Sequence, residues 1–220
     1  MASMDIIYLG HSSFKLSTSK GPNVLTDPYD PEMLGFSFPK ISAEIVTVSH
    51  DHGDHNRSDL VSDVQKVISG PGEYEVNGVS VIGIGSYHDD KKGAERGKNT
   101  MYVIEMEGLR IAHLGDLGHK LSEGQATKLG DIDVLFIPVG GEYTINVETA
   151  IEVVHSIEPK VIIPMHYKAA GINEKTFAKL APLEEFVSAI GLNSEEMTKL
   201  TVKAGDLDED NHRLVILNKK

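Results

Sequence analysis

The segment His50-Asp51-His52-Gly53-Asp54-His55 sets imidazoles at its first, third and last places and a carboxylate just before the last. Imidazole is the commonest side-chain metal ligand near neutral pH, and aspartate adds a hard anionic oxygen. That donor set suits zinc, manganese or iron. In an extended segment His50 and His52 point to the same side, and a turn at Gly53 lets Asp54 and His55 reach a neighbouring position. Two ions side by side are therefore within its reach. The bland alternative is an exposed, His-rich loop that chelates metal by accident.

The elements that would position this cluster are strands. Ile45-Val46-Thr47-Val48-Ser49 alternates in apolar character and leads straight into it, so the cluster stands where a strand gives way to a loop. Three further candidates sit in the same situation. His88 follows the stretch Val79 to Ser86, Asp116 follows Arg110 to Leu114, and His166 ends the run Lys160 to Pro164. Sites in layered α/β proteins gather at the carboxyl ends of strands. Taken singly each is ambiguous: a lone His after a strand is more often a surface residue, and Asp116 in Gly-Asp-x-Gly could be a turn former.

In order along the chain, Thr47 to His55, the opening Leu9-Gly10-His11-Ser12-Ser13-Phe14, Leu25-Thr26-Asp27-Pro28, Tyr87-His88-Asp89, Leu114-Gly115-Asp116-Leu117-Gly118 and Ile163-Pro164-Met165-His166-Tyr167 resemble the motifs of the metallo-β-lactamase superfamily. The resemblance is to its cytosolic metal-dependent hydrolase branch, which includes the ascorbate-6-phosphate lactonase-like proteins. It implies an α/β fold, a four-layer αββα sandwich. It implies that His50, His52 and His88 hold one divalent ion, Asp54, His55 and His166 the other, and that Asp116 bridges them. Zinc or manganese is the expected metal. A metal pair lowers the pKa of a shared water toward neutrality, and Asp54 would aim the resulting hydroxide. His11 is the candidate acid for the leaving group. Asp27 is expected to hold a ligand imidazole in its tautomer, and His113 to stand behind the ligands.

Composition narrows the partners. A chain of 220 residues with net charge −12 lacks the cationic surplus that nucleic-acid backbones require. It has no apolar stretch near the length of a membrane span and no signal-peptide pattern at its start. The absence of cysteine removes thiolate ligands and disulfides and fits a cytoplasmic protein. One domain over residues 1–220 is expected, and homo-oligomerisation is left open. The segment after His88 carries Lys91, Lys92, Arg96 and Lys98, cations that could line the site and attract an anionic small molecule, and Tyr143 lies in a loop that could wall it. The leading expectation is hydrolysis of a small anionic ester or lactone. The alternatives are a phosphodiesterase or nuclease, a non-catalytic metal-dependent sensor, and di-iron electron-transfer chemistry, whose relatives usually carry Glu where this chain has His52.

The pattern predicts strands at Asp5 to Leu9, Phe14 to Ser17, Val24 to Thr26, Glu44 to Ser49, Lys66 to Ile68, Glu73 to Val76 and Val79 to Ile84, with turns at Gly70-Pro71-Gly72 and Asn77-Gly78. Strands at Met101 to Glu107 and Arg110 to Leu114 follow. Then come a helix at Ser122 to Leu129, a strand at Val134 to Pro138, a helix at Val147 to Ile157 capped by Asn146, and a strand at Val161 to Ile163. Helices around Glu174 to Leu180 and Pro182 to Ile190 and strands at Leu200 to Lys203 and Leu214 to Leu217 complete the order. In the Val147 helix, Val147, Ile151, Val154 and Ile157 form the stripe expected to pack on a sheet.

Overall fold

The computed structural model describes residues 3–208 and 211–220. Its strands are β1 (Met4–Gly10), β2 (Ser13–Thr18), β3 (Val24–Thr26), β4 (Ile41–Ser42), β5 (Ile45–Val48), β6 (Val61–Ser62), β7 (Lys66–Ser69), β8 (Gly72–Val76), β9 (Val79–Tyr87), β10 (Lys98–Met106), β11 (Leu109–His113), β12 (Val134–Pro138), β13 (Val161–Met165), β14 (Ser194–Met197), β15 (Leu200–Val202) and β16 (Arg213–Leu217). The helices are α1 (Pro31–Leu34), α2 (Glu123–Leu129), α3 (Val147–Ile157), α4 (Glu174–Phe177) and α5 (Leu183–Ile190).

Two sheets face each other, one ordered β15-β1-β2-β3-β5-β7 and the other β14-β16-β13-β12-β11-β10-β9-β8. Their inner faces make the central core. Phe14, Leu16, Val24 and Ile45 from the first sheet meet Tyr102, Ile111, Phe136 and Ile163 from the second. The Phe14 and Phe136 rings stack with centroids 4.0 Å apart. Strands β12 and β13 are buried on both faces, which is why they read as continuous apolar runs. Their outer residues Leu135, Ile137 and Ile162 carry the helical layer, in which Leu129 of α2, Val153 and Ile157 of α3 and Phe186 of α5 are buried. On the other side the outer layer is thin. Leu25, Val46 and Val48 are covered by Ala43, Val61 and the half-buried Phe38, Ile41 and Val64 around the β4–β6 ribbon.

The arrangement is a layered α/β sandwich of the kind the resemblance implies. No helix among the described residues is long and apolar enough to cross a membrane. Besides the short α1, β4 and β6, which the pattern does not predict, three details differ from the sequence-based expectation. The buried face of α3 is Ala150, Val153, Val154 and Ile157, so Val147 and Ile151 fall to its flank. The helix expected at Glu174 to Leu180 closes after one turn, at Phe177. Strand β14 had no signal, because Ser194-Glu195-Glu196-Met197 is a polar edge strand held by pairing with β16 rather than by burial.

Strand direction decides where the functional residues meet. Strands β1 and β3 run parallel because each is antiparallel to β2, and β5 pairs parallel with β3. In the second sheet β9 and β11 both run antiparallel to β10, and β11, β12 and β13 are parallel. The carboxyl ends of β1, β3 and β5 face those of β9, β11 and β13 across one rim. There the sheets are tied by backbone bonds: the His166 N–H donates to the His11 carbonyl at 2.9 Å and the Thr100 N–H to the Ser49 carbonyl at 2.9 Å.

Candidate metal centre

Every histidine and aspartate expected as a ligand lies on that rim. Asp116 Oδ2 stands at its middle, 3.1 Å from His166 Nε2, 3.2 Å from His88 Nε2, 3.3 Å from His55 Nε2 and 3.9 Å from His50 Nε2. Three overlapping groups offer donor atoms within 4.8 Å of one another: His50, His52 and His88; His11, Asp54, His55 and His166; and His50, His55 and Asp116. All of these side chains are buried except His52, which is exposed.

Local backbone explains the convergence. His11, Asp27 and His166 sit at φ of 56°, 38° and 54°, in the left-handed region, at a cost on the order of 1–3 kcal/mol each. Each turns its side chain inward as its strand ends. Gly115 allows Asp116 to approach, since a β-carbon there would stand 2.6 Å from the Ser49 β-carbon. The Asp116 N–H donates to Asn99 Oδ1 at 3.0 Å, and Asn99 Nδ2 donates to the Leu114 carbonyl and the Ser86 hydroxyl.

Behind the donors one carboxylate orients two imidazoles. His55 Nδ1 donates to Asp27 Oδ2 at 2.8 Å, which turns His55 Nε2 toward the rim. The Ser49 hydroxyl donates to the same oxygen at 2.6 Å, so its lone pair is left to accept from His50 Nδ1 at 3.0 Å. The Ser49 N–H fills the other Asp27 oxygen at 2.8 Å. A ligand histidine characteristically has its far nitrogen held this way. Asp27 is thus in hydrogen-bond contact with His55, whereas Ser49 and Asn99 carry no chemical signal in the sequence. His113 has another job: its Nε2 donates to the Ser12 carbonyl at 2.8 Å and its Nδ1 accepts the Gly115 N–H at 3.2 Å, bracing the His11 turn against the Asp116 loop.

The donors fit a divalent cation on their own chemistry. The Nε2 atoms of His50, His55 and His166 and Oδ1 of Asp116 are buried with no hydrogen-bond partner. Leaving such groups unsatisfied costs roughly 1–3 kcal/mol apiece, and a cation is the partner that accepts several lone pairs at once. Electrostatics agrees. Burial and the neighbouring His55 push the His50 ring down to about 3, and burial with His166 pushes His11 to about 4, so both rings offer neutral nitrogens. Burial alone would raise the Asp116 carboxyl, but His166 and His55 hold it well below the ordinary carboxylate range. Burial opposes charge on His55 as well, yet Asp116 and Asp54 raise it well above the usual imidazole value.

A family model described as the β-lactamase superfamily domain matches residues 5–166. The chain belongs to the metallo-β-lactamase superfamily. It is similar to a UPF0173 metal-dependent hydrolase of Alkaliphilus metalliredigens, 31% identical over 194 residues that span 74% of this chain and 85% of the relative. A second relative of that description, from Thermococcus onnurineus, is 27% identical over 92% of this chain and 97% of its own. Among solved structures, one from Thermotoga maritima assigned to the zinc-dependent hydrolases of the superfamily is 36% identical. It superposes with a TM-score of 0.78 over 97% of this chain and 98% of that one. Within the superfamily the chain groups with the metal-dependent hydrolases.

Around this superfamily centre lies a cavity of about 390 Å³, lined by His52, Asp54, His88, Asp116, Arg96 and Tyr143 together with the apolar Met33 and Phe177. Of the four cations expected to line it, only Arg96 does. Lys91 and Lys92 are exposed, with Lys91 engaged in an ion pair to Glu95, and Lys98 is exposed at the start of β10. The reason is Asp89: it accepts the backbone N–H groups of Lys91, Gly93, Glu95 and Arg96 and winds the segment into a tight loop that faces its lysines to solvent. The role expected of His11 also changes. Its side chain is fully buried and is not among the residues lining the cavity, while its Nε2 lies 3.1 Å from Asp54 Oδ2. The ring thus stands against Asp54 and not on the cavity wall.

Proposed function

We propose that this chain hydrolyses a small ester or lactone bearing a negative charge, using a pair of divalent cations, zinc or manganese, gathered on the rim. The observation that carries the reading is Asp116, one buried carboxylate oxygen reached by imidazoles of both donor groups. His50, His52 and His88 would hold one cation, and Asp54, His55 and His166 the other, with Asp116 common to both. Two cations bound there supply hydroxide at neutral pH and offset the charge that develops on the attacked carbonyl oxygen.

The protein's own groups do the rest. Asp54 faces the cavity with its carboxylate steadied by the His11 ring, in position to accept a hydrogen bond from the attacking water. Asp27 and Ser49 keep His55 and His50 in the tautomers that present Nε2. Arg96 is held over the Tyr143 ring at 5.8 Å and brings a fixed cation to the cavity, suited to a substrate carboxylate. Met33 and Phe177 exclude water from the apolar side. A cytoplasmic location belongs to this reading, supported by the lack of cysteine.

The test is to load the purified protein with zinc or manganese and assay a carboxylated lactone, a thioester, a phosphodiester and a β-lactam beside the Asp54→Asn variant. Turnover of the lactone that Asp54→Asn abolishes is the expected result. Turnover of the phosphodiester alone, or lactone hydrolysis of equal rate in the variant, would overturn it.

A further inference from the structure

A second cavity, of about 370 Å³, opens beside the first and shares His88, Arg96 and Tyr143 with it. Its other walls come from Asp90, His119, Lys120, Glu142 and Thr149, and it is polar where its neighbour is largely apolar. The walls are firmly built. The Ile145 N–H donates to the Leu117 carbonyl at 2.9 Å and the Ala181 N–H to the Gly140 carbonyl at 2.8 Å, pinning the loop that holds Tyr143. His119 has both ring nitrogens engaged: Nε2 accepts the Tyr87 N–H at 3.1 Å, so Nδ1 donates to the Lys120 carbonyl at 2.7 Å. It is a fixed wall. A pocket held in shape before its ligand arrives loses little to ordering when it binds.

The charges in this cavity argue against a second anion. Lys120 is paired with Glu152 at 2.5 Å, and Arg96 donates to the Glu142 carbonyl at 3.3 Å. Against these two cations stand the carboxylates of Asp90 and of Glu142, the latter 3.4 Å from Lys179, while Asp89 is taken up by the backbone of its own loop. Hydroxyl groups suit such a mixture, because each donates to a carboxylate and accepts from an ammonium or guanidinium in one place.

Resting on the hydrolase reading, we infer that this second cavity is the subsite for a hydroxyl-bearing end of the substrate. The Arg96–Tyr143 pair separates that end from the reacting group in the first cavity. The enzyme's preferred esters would then be bipartite, with the scissile bond beside Asp54 and Asp116 and a short polyol beside Thr149. Short plain esters would fill only half of the cleft.

Two measurements test this. In the first, the metal-loaded protein is given the ethyl ester and a tetritol ester of one carboxylic acid, with the mirror pair hydroxylated on the acyl side. One of the hydroxylated esters is expected to exceed its plain counterpart by about tenfold or more in kcat/KM, as sites built for hydroxyls discriminate against analogues that lack them. In Thr149→Trp, which fills the cavity, that ratio should fall toward one, and the milder Thr149→Gln should lower it in part. In the second, free tetritol is titrated into 15N-labelled protein. Shifts confined to the amides of Gly118, His119, Gly141 and Thr149 and lost in Thr149→Trp support the subsite. Shifts that are absent, lie elsewhere or persist in the variant overturn it, as does a wild-type ratio near one. If no ester is turned over at all, the hydrolase reading fails and the titration still decides the subsite.

Discussion

Two of the donor groups on the rim are built differently. His50, His52 and His88 form a group with one exposed member, opening on the cavity mouth, whereas His11, Asp54, His55 and His166 are all buried. The buried half is braced twice, by Asp27 on His55 and by His11 on Asp54, and the open half mainly through the Ser49 hydroxyl on His50. His88 Nδ1 has no hydrogen-bond partner. The difference teaches that two donor groups sharing one rim need not be alike: one is wholly buried and the other keeps a member exposed to solvent, while Asp116 lies against both.

Removing the coupling should have the largest effect. Asp116→Ala is expected to lower bound metal from two equivalents to one or fewer and to abolish hydrolysis. Elemental analysis finding two full equivalents would reject the bridging role. Asp27→Ala should come next, because it frees both His55 and, through Ser49, His50; metal affinity is expected to fall about 10- to 100-fold in chelator competition. Ser49→Ala sharpens the comparison, since it should weaken only the open half. If Ser49→Ala weakened both halves equally, the relay through its hydroxyl would be wrong.

The asymmetry should also be visible in time. On addition of a chelator to the loaded wild-type protein, release should be biphasic, and His52→Ala should remove the fast phase; a single phase in the wild type counts against two unequal halves. A smaller effect is expected from pH on the metal-free protein. His50 and His11 titrate near 3 and 4 in the fold, against an ordinary value of about 6.5 when unfolded. Below that ordinary value the unfolded chain binds protons the fold refuses, so stability falls as pH drops from about 6.5 toward 4. His55, raised well above the ordinary value, opposes this slope only near pH 6.5, where the unfolded ring is half-protonated, and adds none toward pH 4. Thermal unfolding at several pH values checks this, and a flat midpoint would contradict it.

Much of the centre is legible in the order of residues alone. His50 to His55 announce metal chemistry through residue type and spacing, and the apolar runs leading to His88, Asp116 and His166 mark strand ends. The Asn77-Gly78 turn is equally legible, with both residues at positive φ, because only a few residue types tolerate that backbone. The surroundings are not. The Ser49 hydroxyl, the Asn99 amide and the loop wound around Asp89 act through contacts whose partners lie elsewhere in the chain. Charge counting alone cannot tell that Arg96 turns inward and Lys91 outward.

By itself, then, the chain determined which side chains could bind metal and which segments would become strands, since both follow from local chemistry and a two-residue period. Only the tertiary structure decided that His11 stands behind Asp54, that Asp27 serves two imidazoles at once, and that Arg96 and Tyr143 divide two cavities. Those outcomes depend on parallel strands of two sheets ending on the same rim, which joins residues as far apart as Ser12 and His113.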